Sequence, residues 1–383
     1  MIYKPSFTTM KIEILKENLK NSLGVVERIV GKNLSLPVLN NVLMETEDSF
    51  LVLVSTDLET AIKLWVLTKI VKQGKVLVPA KFLSSFVGSL PNEKILLEAE
   101  GQNLHIECKK LKTNIQGNNP EEFPIIPKFA DAEYLEVDAR KLCEALSQII
   151  DIPMTSTSRP EISGLYFSFS KNNITMAATD SFRLAEKSVS LQKPVNKEYA
   201  FILPQRPARE ILHILDGKDG AVKIYFSNNQ VLFELPMKEV AHPQVQITSR
   251  LIDGEYPNYQ DIIPTKFKTH ATVKRDEFLN QIKTASLFSG KVNEVKIAIS
   301  PEKNEVGIFA KSAEIGEHQG AIEASIEGEA IEISFNYKYL VDGLMNIHSS
   351  EIVFDVSKEE GPCILRPVGD ASYIYVVMPI KSM

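Results

Sequence analysis

The residues in this chain whose types and spacing could support catalysis are two Thr-Asp pairs. Thr179-Asp180 stands in ATDSFRLAEK (178–187), where a hydroxyl, a carboxylate and a nearby arginine could form the edge of an active site. Thr56-Asp57 stands 123 residues earlier, in VSTDLETAI. A general acid or base needs a substrate and a partner group beside it, and the sequence places neither next to these aspartates. The duplication therefore favours a structural corner that the fold uses more than once.

No other motif indicates catalysis. The chain has no GxxxxGK[ST], HExxH, GxSxG or GxGxxG pattern. Glu121-Glu122 and Glu359-Glu360 lie in turn-like polar stretches, where carboxylates most simply face solvent. We therefore predict no catalytic residue. The alternative, an enzyme that uses one of the repeated aspartates, would be supported by a bound metal or a strongly pH-dependent activity.

Composition favours a cytoplasmic protein without a cofactor. Three cysteines lie far apart and the six histidines show no HxxxH or HxH spacing, so neither a disulfide framework nor a metal site is expected. No window approaches the roughly 18 apolar residues that a membrane span needs. The N-terminal MIYKPSFTTMK has no apolar signal-peptide region. The 383 residues suffice for two to four domains.

The Thr-Asp pairs belong to a repeat with a long period. In three places an apolar strand is followed by a proline or asparagine and then by apolar residues at helical spacing. Pro204 follows Pro79 by 125 residues, and Asn336 takes the proline position in the third copy. Similar folded units explain this ordered agreement better than chance similarity does. The three stretches are GKVLVPAKFLSSFVGSLP (74–91), EYAFILPQRPAREILHIL (198–215) and AIEISFNYKYLVDGLMNI (330–347).

A further helix is predicted upstream in each copy. The second of these is expected to run from an N-cap at Asp138 to about Ile150, and the third to begin near Asp276. The stretches FLVLVS, LYFSFS and VKIAIS between the helices have the alternating or β-branched character of antiparallel strands. In the first helix, one apolar stripe with a 3.6-residue period is formed by Leu15, Leu19, Leu23, Val26 and Val30.

We therefore predict an α+β protein of three tandem similar domains. FPIIP (123–127) and YPNYQDIIP (256–264) indicate inter-domain linkers, because prolines and aromatics there precede a new strand. A unit of this length can bury its own core. The predicted parts are an N-terminal extension over residues 1–9 and domains over residues 10–128, 129–253 and 254–383.

In the order of its motifs the chain resembles the bacterial DNA polymerase III β subunit, the sliding-clamp family. The resemblance covers residues 10–383. No single motif is decisive, but the ordered set is highly specific. Its carriers are LPVLNNVL (36–43), STDLE (55–59), VPAKF (78–82), NPEEFPIIP (119–127), ATDSFRLA (178–185), ILPQR (202–206), SRLIDGEYPNYQDIIP (249–264) and YVVMPIK (375–381).

The resemblance implies a ring that encircles duplex DNA. Each family subunit has three domains of the DNA clamp fold, with two helices inside and antiparallel sheets outside. Two subunits join head to tail, and edge strands of the first and third domains pair across the subunits. The family is not catalytic; it tethers enzymes to DNA by topology. The implied partners are double-stranded DNA without sequence preference, a second copy of the chain, and polymerase and clamp-loader subunits, with no membrane.

Charge sorted by element agrees with helices that face DNA. The chain has a formal net charge of −6, but the six candidate helix segments together carry 14 Lys and Arg against 9 Asp and Glu. A mildly positive lining would allow DNA to pass through without sequence-specific binding. Solvated surface charge is the alternative for each cation. The candidate DNA-facing residues are Lys20, Arg28, Lys32, Lys81, Arg159, Arg206, Arg209 and Lys291.

The resemblance gives the second Thr-Asp corner an added role, in an apolar pocket that binds short linear peptides of polymerases and the clamp loader. Leu, Ile, Val, Met and Pro walls suit Leu or Phe anchors of an extended peptide. Ser181, Phe182 and Asp261 differ from the usual family residues, so the family's peptide preference does not carry over. By position, the partner-peptide pocket consists of Ile162, Thr179, Ser181, Phe182, Arg183, Leu184, Pro257, Ile262, Val376, Met378, Pro379, Ile380 and Lys381.

Two interpretations compete with a clamp that binds peptides. Residues 376–380 could be a last strand that only packs on its sheet. A β-rich repeat protein that scaffolds other proteins without touching DNA also fits the repeats and the acidic total. Binding to circular DNA distinguishes a ring from the alternatives. A ring is lost when the circle is cut, whereas a groove-binding protein is lost when salt is added.

Overall fold

The computed structural model describes residues 9–31, 35–127, 129, 133–154, 156, 158–191, 193–195 and 198–380. The chain forms two compact units. The first comprises the residues up to Arg140 together with Arg209–Leu251. The second comprises Lys141–Ala208 together with the residues from Ile252 onward. Each unit is therefore built from sequence-distant stretches.

Within the described residues, six α-helices follow one another as three pairs. Helix α1 packs against α2 in the first unit, and α5 packs against α6 in the second. Two helices per repeat agree with the expectation from the sequence. The pairs are α1 (Lys16–Val26) with α2 (Ala80–Ser89), α3 (Ala139–Ile149) with α4 (Gln205–Leu215), and α5 (Arg275–Ser286) with α6 (Tyr337–Met345).

The strands of the described chain also fall into three successive groups. The first group is β1 (Met10–Leu15), β2 (Asn41–Glu47), β3 (Phe50–Thr56), β4 (Thr60–Leu67), β5 (Lys69–Lys72), β6 (Lys75–Pro79), β7 (Lys94–Glu100), β8 (Asn103–Cys108) and β9 (Leu111–Gln116). The second is β10 (Tyr134–Asp138), β11 (Gly164–Ser170), β12 (Asn173–Thr179), β13 (Arg183–Ser190), β14 (Tyr199–Pro204), β15 (Ala221–Phe226), β16 (Gln230–Pro236) and β17 (Pro243–Arg250). The third is β18 (Thr269–Lys274), β19 (Glu294–Ser300), β20 (Glu305–Ser312), β21 (Gly316–Glu323), β22 (Ser325–Gly328), β23 (Ile331–Asn336), β24 (Glu351–Val356), β25 (Cys363–Pro367) and β26 (Tyr373–Val377).

The described residues of the first unit form two antiparallel sheets. A five-stranded sheet has the order β5-β1-β7-β8-β9, and an eight-stranded sheet has the order β10-β15-β16-β17-β4-β3-β2-β6. The pairing of β17 with β4, for example Ile247 with Ile62, joins strands of the second group to strands of the first. A cluster around Trp65 and Leu77 takes in Phe123 of the predicted linker. Burial of such side chains stabilises the fold by about 1.5–3 kcal/mol each.

In the second unit, the part of the chain that the structure describes also forms two antiparallel sheets. A nine-stranded sheet has the order β14-β11-β12-β13-β26-β25-β24-β18-β22, and a four-stranded sheet has the order β21-β20-β19-β23. Here β13 pairs with β26, so strands of the second and third groups share one sheet. The sheets thus continue from one repeat into the next, and this confirms an α+β architecture of three tandem repeats.

The residue before the later helix of each repeat has the same place in all three. Pro79 ends β6 before α2, and Pro204 ends β14 before α4. Proline cannot donate to a sheet ladder, and its fixed φ suits a helix start. Asn336 takes this place before α6 and caps the helix, since its side chain accepts a hydrogen bond from the Lys338 N–H at 3.1 Å.

The stripe predicted for the first helix is wrong at both ends. Leu19, Leu23 and Val26 are buried as expected, but Leu15 is 52% exposed. Leu15 is the last residue of β1 and lies opposite Lys94 of β7, so sheet pairing sets where the helix begins. Val30 is buried but follows a 3-10 turn at Glu27–Ile29. Sequence periodicity does not distinguish these positions from helical ones.

None of the described helices is long and apolar enough to cross a lipid bilayer.

Candidate functional site

The Thr179-Asp180 pair closes the turn between β12 and β13. The Thr179 hydroxyl donates to the Arg183 carbonyl at 2.7 Å and accepts from the Ser181 N–H at 3.2 Å. Asp180 Oδ1 accepts from the N–H groups of Phe182 and Arg183, both at 3.0 Å. Threonine and aspartate side chains can hydrogen-bond the backbone N–H and C=O groups that have no partner strand at a sharp turn.

The Thr56-Asp57 pair closes the turn between β3 and β4 in the same way. The Thr56 hydroxyl donates to the Thr60 carbonyl at 2.8 Å and accepts from the Leu58 N–H at 3.0 Å. Asp57 Oδ1 accepts from the N–H groups of Glu59 and Thr60 at 3.1 and 2.7 Å. The middle residue has a φ of +77° at Leu58 and +76° at Ser181, a left-handed conformation that favours glycine.

The third repeat keeps half of this corner. Ser312 Oγ accepts from the Glu314 N–H at 3.3 Å, as the threonines do at their corners. Ala313 stands in the aspartate position, so the carboxylate cap is lost. These bonds confirm that the Thr-Asp pairs are a repeated structural corner.

Arg183 distinguishes the second corner from the first. Its guanidinium is 9% exposed and pairs with Asp180 at 3.0 Å and with Asp342 of α6. It also lies 4.9 Å from the ring centroid of Tyr339. Burial opposes the charge, but Tyr375, Asp342 and Asp180 outweigh burial and raise the pKa of Arg183 above its ordinary value. The arginine therefore ties the corner to α6 as a permanently charged group.

The C-terminal strand forms the next wall. Val376 of β26 pairs with Leu184 of β13, and both are buried. Just beyond the strand, the Met378 N–H donates to the Phe182 carbonyl at 2.9 Å. The Phe182 side chain is 55% exposed and its ring stacks on Tyr339 with 6.0 Å between centroids. An aromatic surface with an apolar floor results.

The linker segment supports this floor from the other side. Tyr256 and Tyr259 are buried with Leu184 and Val376 in one cluster. The Tyr259 hydroxyl donates to Glu186 Oε2 at 2.6 Å, and burial together with this bond raises the pKa of Tyr259. The buried tyrosines hold the 3-10 turn at Tyr259–Ile262 in place. Ile262, at its end, is 46% exposed.

Most residues predicted for the partner-peptide pocket lie on these elements of the second unit. The turn at Pro160–Ser163 contacts β11 and β12 and carries Ile162, which is 6% exposed. Pro257 directly follows Tyr256, and Pro379 and Ile380 continue from Met378. Lys381 lies outside the described residues.

Sequence reasoning missed two groups at this site. Tyr339 and Asp342 of α6 meet Phe182 and Arg183 from more than 150 positions away. No signal in the sequence links these residues. The linker tyrosines were visible as aromatics between prolines, but not as the floor beneath the corner.

The cations predicted to face DNA lie on helices or nearby turns. Lys20 of α1 and Lys81 of α2 are exposed, and these two helices pack together. Arg28 pairs with Glu210 at 2.5 Å, which offsets part of its charge. Arg159 pairs with Glu161 at 3.3 Å. Of the others, Arg206 and Arg209 on α4 and Lys291 in the turn Gly290–Val292 are exposed, and Lys32 lies outside the described residues.

Within their observed bounds, the six helices carry 10 Lys and Arg against 6 Asp and Glu. The helices are thus positive in a chain of net charge −6. Over the part of the chain that the structure describes, no group of three or more His, Cys, Asp or Glu side chains is arranged to hold a metal ion.

Family models match three successive parts of the chain. They describe the N-terminal domain of the DNA polymerase III beta subunit over residues 10–127, its central domain over residues 136–258 and its C-terminal domain over residues 260–381. A beta sliding clamp of Synechococcus elongatus is 28% identical over 379 residues, covering 97% of this chain and 99% of its own length.

Solved structures agree with these matches. The DNA polymerase sliding clamp from Bacillus subtilis is 28% identical, with a TM-score of 0.92, covering 98% of this chain and 100% of that one. A sliding clamp from Bartonella birtlesii, solved bound to griselimycin, is 27% identical with a TM-score of 0.89, covering 98% and 100% of the two chains.

The family models follow one another in the order of the three repeats and leave only short stretches unmatched. The chain therefore belongs to the family of the DNA polymerase III beta subunit, the bacterial beta sliding clamps.

Proposed function

We propose that two copies of this chain close head to tail into a ring around duplex DNA and hold polymerase and clamp-loader subunits by short peptides. The chain is a DNA sliding clamp, a processivity subunit of replication and not an enzyme. The proposed head-to-tail ring rests on two sheet edges of opposite charge, one in the first repeat and one in the third.

Strand β9 is an edge of the five-stranded sheet, and β21 is an edge of the four-stranded sheet. Residues 109–116 contain three lysines and no acidic residue, whereas residues 314–323 contain three glutamates and no lysine or arginine. Antiparallel pairing of β9 from one copy with β21 from another would satisfy both rows of backbone groups. Opposite charges would set the register.

Apolar side chains lie beside both edges. Leu111 on β9 is 51% exposed. Leu287 after α5, Val292 in the following turn and Ile315 before β21 are each more than 60% exposed. Burial of such residues between copies would supply the non-directional part of the affinity.

Charge exchange across the two edges tests the ring. Lys112→Glu and Glu317→Lys are each expected to shift the solution mass from twice 42.9 kDa toward 42.9 kDa, because each places like charges opposite one another. The double variant should recover the dimer. Light scattering over a dilution series measures this. A wild-type monomer, or single variants that dimerise like wild type, would contradict the proposed interface.

The partner-peptide pocket requires its own test. A synthetic hexapeptide ending in Leu-Phe is expected to bind, and Met378→Glu to weaken binding at least tenfold, because a charge enters the apolar wall. Ile125→Glu, at a 95% exposed position of the first unit, is the matched control. Isothermal titration measures both. Since the Bartonella birtlesii relative binds griselimycin, griselimycin should compete with the peptide here.

A further inference from the structure

The outer edge of β23 is only partly covered. Its inner edge pairs with β19 throughout, with Ser334 opposite Lys296 and Glu332 opposite Ala298. On the outer edge, the Ser334 carbonyl accepts from the Ile380 N–H at 2.8 Å. Alternate residues of a strand present their backbone groups to the same side, so the backbone N–H and C=O of Glu332 also point to the outer edge. Among the described residues, none hydrogen-bonds the Glu332 backbone there.

A cavity of about 550 Å³ lies along this edge. Its lining includes Ile331, Glu332 and Ile333 of β23, Ile380 from the partner-peptide pocket, and Glu359 and Glu360 from the turn after β24. The Glu332 side chain pairs with Lys296. The groove therefore combines a partly uncovered strand edge with a rim of three carboxylates and one cation, Lys296, and it begins where the partner-peptide pocket ends.

The first repeat shows what occupies the equivalent place there. The Asn118 N–H donates to the Leu77 carbonyl of β6 at 2.8 Å, as Ile380 does to Ser334. The linker then runs beside β6, and Lys75 pairs with Glu121 at 2.7 Å. Lys75 stands four residues before Pro79, as Glu332 stands four residues before Asn336.

The second repeat has the same bond, from the Ile252 N–H to the Ile202 carbonyl of β14 at 2.9 Å. Its linker packs on that strand, since Ile202 clusters with Tyr256 and Tyr259. In both cases an extended segment lies along the edge. In the third repeat the charge at the position of Lys75 is reversed, so the matching occupant is basic.

We propose that the β23 groove binds an extended, lysine- or arginine-bearing segment that flanks the apolar anchor of a partner peptide. The segment adds as a strand to β23, and its basic side chains meet Glu332, Glu359 and Glu360. This inference rests on the proposed peptide-binding function of the adjoining pocket.

The test compares five synthetic peptides on the full chain. One is the hexapeptide ending in Leu-Phe; the others extend it, at either end in turn, by Val-Lys-Val-Lys or by Val-Glu-Val-Glu. The lysine extension is expected to raise affinity about tenfold at one end, and the glutamate extension is expected not to. Equal affinity for all peptides would overturn the inference and leave the pocket standing. Failure of every peptide to bind would instead contradict the pocket itself.

Two variants separate strand addition from charge. Glu332→Pro removes an N–H directed to the outer edge, where proline is tolerated, and should cancel the gain from the lysine extension while the hexapeptide binds as before. Glu359→Lys with Glu360→Lys should also cancel it, and should reverse the preference toward the glutamate extension. A gain that survives both variants would overturn the proposal. So would a gain seen only after deletion of residues 381–383, because the chain's own residues would then fill the groove.

Discussion

At the scale of residues, Asp180 is expected to contribute more to the free energy of unfolding than its counterpart Asp57. Its side chain is fully buried, caps two backbone N–H groups and pairs with Arg183. Asp57 caps two N–H groups in the same geometry, but Thr60 stands where the second corner has the arginine. Removing Asp180 costs more than removing a cap alone, because the Arg183 guanidinium stays buried and keeps only Asp342 as an ion-pair partner.

Asp180→Ala is therefore expected to lower the free energy of unfolding by about 3–5 kcal/mol. Asp57→Ala, the matched control, should lower it by about 1–2 kcal/mol. Urea unfolding followed by circular dichroism measures both. Equal effects of the two substitutions would show that Arg183 contributes nothing beyond the cap.

The ion pair of Asp370, in the turn before β26, is expected to make the stability of the fold depend on pH. Burial acts to raise its pKa, but hydrogen bonds from Ser372 and the pairing with Lys187 at 3.1 Å outweigh burial and lower it. A carboxyl with a lowered folded pKa stabilises the fold above its unfolded pKa of about 3.9. That stability is lost as pH falls through the folded pKa.

Asp370→Asn should therefore be less stable than wild type at pH 7, and the difference should shrink as pH falls below about 4. Urea unfolding midpoints at pH 7, 5 and 3 measure it. A difference that stays constant over this range would mean that the charge of Asp370 is not what stabilises the turn.

At the scale of elements, α6 meets β26 where there is no room for a side chain. A Cβ on Gly343 would lie 2.4 Å from the Tyr375 ring, and the Tyr375 hydroxyl donates to the Tyr339 carbonyl at 2.7 Å. Because Tyr339 and Asp342 lie on the same helix, this close approach also places the groups that hold Phe182 and Arg183.

Gly343→Ala is expected to destabilise the protein by about 1–3 kcal/mol, because overpacking outweighs the gain in helix propensity. Gly24→Ala in α1 is the matched control, since the added Cβ would have no heavy atom within 4 Å apart from its chain neighbours and the adjacent backbone of its own helix. It should stabilise the protein by about 0.5–1 kcal/mol. Thermal unfolding compares the two, and stabilisation by Gly343→Ala would contradict the packing of α6 on β26.

At the scale of the whole molecule, the proposed ring separates how the protein holds DNA from how it holds partners. Sequence-independent contacts let a protein slide along DNA, and a closed ring needs no strong contact to stay on. The modest positive charge of the helices suits that role better than a strongly basic groove would.

Protein assembled on closed circular duplex DNA should stay bound in 0.5 M salt and should be lost when a restriction enzyme cuts the circle. Gel filtration of labelled protein with the DNA, before and after cutting, measures this. A protein that scaffolds without encircling would not stay on the intact circle, and a groove binder would leave with salt in both forms.

The sequence by itself determined the three repeats, the two helices of each, the Thr-Asp corner and the family. These features depend on local patterns, in which spacing, turn residues and caps act over a few positions. The start of α1 at Lys16, the meeting of Arg183 with Asp342 and the sharing of sheets between repeats depended on the tertiary structure. Strand pairing and buried charge pairs join positions far apart in sequence, and periodicity along one segment carries no information about the partner that it will meet. For the same reason, only the tertiary structure showed that β9 and β21 are sheet edges and that, among the described residues, the outer side of β23 is only partly covered.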